Sequence, residues 1–141
     1  METENVERYG EVKSSKKTRD YTGFTKTGVY TRLLPVVKEL FVKFEKLESD
    51  SSLSFLWGEL RIACLNSLTG IIVGFNQYHS RDKVRVYNSV KSNIGRMQGI
   101  IILLSELKKI NVEEENKFCV DLEECVKASN ALIKMMEARS K

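Results

Sequence analysis

The stretch 52–77 constrains this chain more than any other. It reads as one long helix that carries only two charges, Glu59 and Arg61. At about 100° of turn per residue, Leu56, Leu60, Cys64, Leu68, Ile71 and Phe75 form one apolar stripe. Phe55, Ile62, Thr69 and Val73 form another on roughly the opposite side. A surface helix ordinarily keeps one face wet. This one is expected to pack inside its own domain and also against something else, with Phe55, Ile62 and Val73 as the oligomer contacts. Trp57 and Phe75 are read as core packing rather than as platforms for nucleobases. The uncharged run 62–79 approaches the shortest membrane span. Asn66, Ser67, Thr69, Asn76 and Gln77 interrupt it and argue against insertion.

Three further segments have helical periodicity. In 30–48, Leu33, Val37, Leu40, Phe44 and Leu47 step by 4, 3, 4 and 3, a heptad seam, with Pro35 tolerable only near the start. In 81–108, Tyr87, Val90, Ile94, Met97, Ile101 and Leu104 step the same way. Gly95 and Gly99 lie inside that helix, marking either the close approach of another backbone or an exposed position. The last segment opens at Asn111-Val112-Glu113-Glu114, a capping-box pattern, and carries Phe118, Leu122, Cys125, Ser129, Leu132 and Met136 to about Arg139. Turns are expected at 49–52, with Asp50 and Ser51 as candidate caps, at 78–80 and at 110–111. Connections this short leave neighbouring helices antiparallel. The expected fold is all-α: an up-down-up-down four-helix bundle over residues 30–141. Residues 1–29 lack periodicity and read as a polar, flexible leader, in which the bases between Lys13 and Lys26 can touch phosphate.

A chain of 141 residues is one domain by size, and 42% hydrophobic residues suffice for a core. Cys64, Cys119 and Cys125 form no C-x-x-C pair, so neither a disulfide framework nor a zinc site is expected. Cys64 and Cys125 sit on apolar stripes, where a thiol acts as a small hydrophobe. The polar N-terminal stretch does not resemble a signal peptide, and a cytoplasmic location is expected.

Net charge is only +4, so placement matters more than total. Residues 79–109 hold seven bases against two acids, a net +5, while 111–141 hold five bases against seven acids, a net −2. Arg81, Arg85 and Arg96 fall within roughly 60° of one another, opposite the apolar stripe, with Asn88 and Ser92 between them. Such a row is either a solvated outer face or a phosphate-binding strip, for which the planar guanidinium fork is suited. The candidate nucleic-acid contacts are Arg81, Arg85, Lys91 and Arg96, with Lys83 and Arg61 after them.

Phosphate loops, dinucleotide fingerprints, H-E-x-x-H and G-x-S-x-G are absent. His79, the only histidine, lies in a turn and reads as a loop residue. The acids of the last helix lack the Glu-x-x-His pairing of a di-iron bundle. No catalytic residue, metal or cofactor is expected.

Residues 101–136, IILLSELKKINVEEENKFCVDLEECVKASNALIKMM, resemble the last two helices of the small four-helix-bundle family related to Avd, the accessory variability determinant of diversity-generating retroelements. The likeness lies in an apolar run ending a basic third helix, the L-K-K-I-N turn, an acidic capped start, the aromatic Phe118, and L-x-E-C before a small-residue end. Residues 60–87 resemble the same family and its cousins, the proteins encoded by intervening sequences of 23S ribosomal RNA genes. The chain departs from the pattern at Leu103-Leu104-Ser105 and at Asn130-Ala131-Leu132, and the leader is extra. The resemblance implies a barrel-shaped homopentamer. It also implies a non-catalytic accessory role: binding a reverse transcriptase and its template RNA, and supporting mutagenic complementary-DNA synthesis. The alternatives are an intervening-sequence-type bundle without a reverse-transcriptase partner, or a protein-interaction module whose arginines only solvate it.

Overall fold

The computed structural model describes residues 23–139. Four helices follow one another: α1 (Gly28–Phe44), α2 (Ser54–Phe75), α3 (Ser80–Glu106) and α4 (Val112–Arg139). Short 3-10 segments, Gly23–Lys26 and Glu45–Ser49, flank α1, and no strand occurs among the described residues. The broadest contacts join α2 to α3 and α3 to α4, while α1 touches α2 and α4. Diagonal pairs do not approach, so the helices stand in chain order around a four-helix bundle.

Each helix contributes the stripe that its period requires. In α3 the buried set is Tyr87, Val90, Ile94, Met97, Ile101 and Leu104, as the heptad steps imply. Leu33, Leu40, Leu60, Ile71 and Leu122 meet these residues at the centre with no exposed surface. Burying one such side chain is worth about 1.5–3 kcal/mol, so these few positions dominate the fold's stability. Ser67 and Ser129 are buried among them, and each hydroxyl donates back to its own helix, at 2.9 Å to Ala63 O and to Cys125 O. A buried hydroxyl satisfied within its helix needs no partner elsewhere.

Helix ends follow local chemistry. Thr27 caps α1, its Oγ1 accepting from Tyr30 N at 3.3 Å. Asn111 and Glu114 form the capping box of α4: Glu114 N donates to Asn111 Oδ1 at 2.7 Å, and Asn111 N donates to Glu114 Oε1 at 3.0 Å. Beyond α3 the chain turns through Lys108, whose φ of 64° is left-handed. Lys108 N donates to Ser105 O and Lys109 N to Leu104 O, a Schellman ending in which lysine stands where glycine is usual.

Several expectations move. Residues 23–29, assigned to the leader, are folded: Phe24 is buried, edge-on to Tyr30 and Phe75. The rest of the leader assignment, including Lys13, lies outside the described residues. Because α1 starts at Gly28, Pro35 is interior to it. Its missing N–H leaves Thr31 O without the usual donor, and both residues face solvent, where water can serve. Asp50 does not cap α2. Its Oδ1 instead accepts from Ser52 N and Oγ at 3.0 and 2.7 Å and shapes the turn before α2. In α4 the inward residue is Ile133, with Leu132 half-buried at the margin. Gly95 and Gly99 face open space, and the glycines under close approach are Gly70 and Gly74 of α2, beneath Val90 and Tyr87 of α3.

Candidate nucleic-acid interface

Antiparallel packing sorts charge by end rather than by helix. One end of the bundle collects the start of α1, the α2–α3 turn and the end of α4. Phe24 against Phe75, Lys83 against Phe75, and the cluster of Tyr87, Ile133 and Met136 hold these parts together. Cutting every helix at its midpoint puts nine bases and two acids in this half, a net +7 over residues 23–36, 65–93 and 126–139. The other half has eight bases and twelve acids, a net −4 over 37–64 and 94–125. A chain of modest net charge is thus strongly polarised along its axis, and a field of this shape steers a polyanion to one pole.

The candidate cations lie at different places on this surface. Arg81 and Arg85 are exposed at the basic pole, Arg85 pairing loosely with Asp82 at 3.1 Å one turn away. Lys91 is half-buried and donates to Asn130 Oδ1 at 2.9 Å. Arg96 continues the row along α3 but, about 22 Å from Arg81 by helix rise, already lies in the acidic half, 3.9 Å from Glu59, and is not brought to the basic pole. These surface pairs are worth little in water and give way easily to phosphate. Lys83 is committed inward. Its Nζ donates to Phe75 O at 2.5 Å and to Gly74 O at 3.3 Å, and it stands over the Phe75 ring. It closes the carbonyl end of α2, as a cation does at a helix C-terminus. Burial lowers its pKa, and the charge of Arg139 lowers it further, so Arg139 shares the pole. Arg61 is not brought to the others. It pairs with Glu48 at 3.3 Å and covers the Trp57 ring, in the acidic half.

The same pole holds Lys26, which the sequence offered as a possible phosphate contact, and residues that sequence reasoning passed over: Lys134, Arg139 and Tyr78. Tyr78 is 90% exposed, in the α2–α3 turn three residues before Arg81. Its ring stands edge-on to His79, centroids 4.9 Å apart. The signal for the bases was present in the sequence but scattered over three segments that only the topology unites. A lone aromatic in an otherwise polar turn was the signal for Tyr78.

Trp57 is buried edge-on to Phe41, and Phe75 packs beneath Phe24 and Lys83, so neither ring is open to a base. Burial pushes the Cys64 thiol up to about 12 and the Cys125 thiol up to about 11. Burial and the nearby Glu115 and Glu123 raise Cys119 as well. Thiols held protonated are poor nucleophiles and poor metal ligands. Among the described residues, no three His, Cys, Asp or Glu side chains converge as a metal site.

The outer face of α2 is exposed, with no cover from the described residues. Phe55 is 70% exposed, and Ile62, Leu65 and Val73 about half exposed, with Thr69 among them. This helix is long and apolar enough, by length and composition, to cross a membrane, while its inner face packs Leu60, Cys64 and Ile71 into the bundle core.

Fold and surface together define a four-helix bundle with a basic pole, an acidic pole and one bare apolar flank. Comparison with protein-family models, with characterised proteins and with solved structures finds no match to this chain.

Proposed function

We propose that the protein is a non-catalytic accessory factor that binds nucleic acid through the basic pole of its bundle. The observation that carries this reading is the axial division of charge, +7 against −4, with Arg81 and Arg85 exposed at the positive end. Binding of this kind engages the phosphate backbone, weakens steeply with salt and reads little sequence.

The bare flank of α2 supports self-association. Copies that seat the Phe55, Ile62 and Val73 flank against a different face of the next copy, with their axes parallel, close into a ring whose basic poles share one rim. A pentamer is the ring size that the Avd resemblance implies. A reverse transcriptase and its template RNA as partners, and a cytoplasmic setting, rest on that resemblance too. The flank also suits a protein-interaction module, the reading in which the arginines only solvate the surface.

Co-purification with a reverse transcriptase encoded beside this gene, with and without RNA, tests the partner. Retention of the enzyme in a form sensitive to ribonuclease or salt is the expected result. Failure of the enzyme and of any RNA to associate contradicts it.

A further inference from the structure

We infer that the ligand of the basic pole is a single strand, one of whose bases stacks on Tyr78; this deepens, and rests on, the nucleic-acid reading above. Tyr78 contributes nothing to the core. Among the described residues it is the most exposed large hydrophobic side chain, at 90%, and its only ring contact there is with His79, the two planes 80° apart. The turn requires no aromatic there, since the fold closes beneath it through Phe75 and Lys83. The turn leads directly into Arg81 and Arg85, both exposed on the first turns of α3, at the end of the bundle that also holds Arg139.

An open aromatic face beside arginines matches the chemistry of single-strand binding. The ring stacks a base, and the guanidinium groups pair with the phosphates on either side. A duplex offers this site only its phosphates, because its bases are already stacked on one another. Tyr78 is exposed on a short turn, not on a helix or ribbon long enough to enter a groove. The 2′-hydroxyl plays no part in either contact, so RNA and DNA strands of one sequence serve alike.

The test is fluorescence anisotropy of the full chain with a uridine-rich RNA of roughly 12 nucleotides, within the ~4–16 nucleotides that such sites cover. Its DNA counterpart and a duplex of the same length are measured beside it at low salt. Tyr78→Ala is expected to weaken both single strands about tenfold, the effect of one stacked base, and to leave duplex binding unchanged. Tyr78→Phe is expected to bind as the parent does. Equal effects of Tyr78→Ala on strand and duplex, or no effect on either, overturn the stacking role while leaving phosphate binding in place. Absence of binding by the parent chain to all three probes overturns the nucleic-acid reading itself. Circular dichroism of each variant confirms that the turn substitution leaves the bundle folded.

Discussion

Gly74 of α2 lies directly beneath the ring of Tyr87 of α3: a Cβ at Gly74 would meet Tyr87 Cε1 at 2.5 Å. One turn earlier, a Cβ at Gly70 would meet Val90 Cγ2 at 2.7 Å. Both partners are buried and stiff, so the crowding has no cheap outlet. Gly74→Ala is therefore expected to destabilise by about 1–3 kcal/mol despite alanine's better helix propensity. Gly95→Ala and Gly99→Ala meet nothing within 4 Å and are expected to stabilise by up to about 1 kcal/mol each. Urea denaturation midpoints of the three variants check both signs.

The Asn111–Glu114 box gives the bundle an acid-sensitive end. A hydrogen bond from Lys43 Nζ, then one from Asn111 N, hold the Glu114 carboxyl below its ordinary 4.5. A depressed carboxylate contributes stability that is complete above the unfolded value and is lost as pH falls through the folded one. Stability is thus expected to be flat above about pH 5 and to fall below it, with a shallower fall in Glu114→Gln. Asn111→Ala, which removes the cap itself, is expected to cost about 1 kcal/mol at neutral pH. Denaturant titrations across about pH 3–7 measure both effects.

Lys108 holds a left-handed conformation that costs a non-glycine residue about 1–2 kcal/mol. Glycine removes that strain and adds unfolded-chain entropy worth about 0.5–1 kcal/mol. Lys108→Gly is expected to stabilise by roughly 0.5–1 kcal/mol, read as a rise in melting temperature.

The helices were largely legible in the sequence because each has a clear period and a chemically marked end. The heptad steps of α3 and the N-V-E-E start of α4 are realised residue by residue. Residues 23–29 were misplaced because Phe24 is a single apolar residue with no period to announce it, and its burial against Phe75 and Tyr30 is visible only in the fold. The choice left open for Gly95 and Gly99, close approach or exposed position, falls to exposure, and spacing could not decide it for a related reason. Spacing shows where a glycine falls on its own helix, not what stands opposite, and Tyr87 stands opposite Gly74 rather than Gly95. Charge summed by helix marked the row on α3 but hid the pole, since Lys26, Arg81 and Arg139 come to one end of the bundle only after folding. Lys83 and Arg61 are cations by sequence, yet one closes α2 and the other covers Trp57.

Glutamate at Phe55, Ile62 or Val73 changes only the outer flank of α2, since none of the three belongs to the core. Each substitution is expected to leave helicity and melting temperature near those of the parent and to reduce its self-association at micromolar concentration. Sedimentation velocity decides this. A parent chain that stays monomeric removes the ring and leaves a bundle that acts alone.

The central claim is that the basic pole pairs with phosphates, and the salt dependence of RNA affinity tests it most directly. The logarithm of the binding constant falls linearly with the logarithm of salt, by about 0.7 for each single-strand phosphate neutralised. The variant Arg81→Glu/Arg85→Glu/Arg139→Glu is expected to bind more weakly and to show a slope shallower by about 2, while Arg61→Glu, in the acidic half, follows the parent. Superimposable salt plots for the parent and the triple variant would contradict the account.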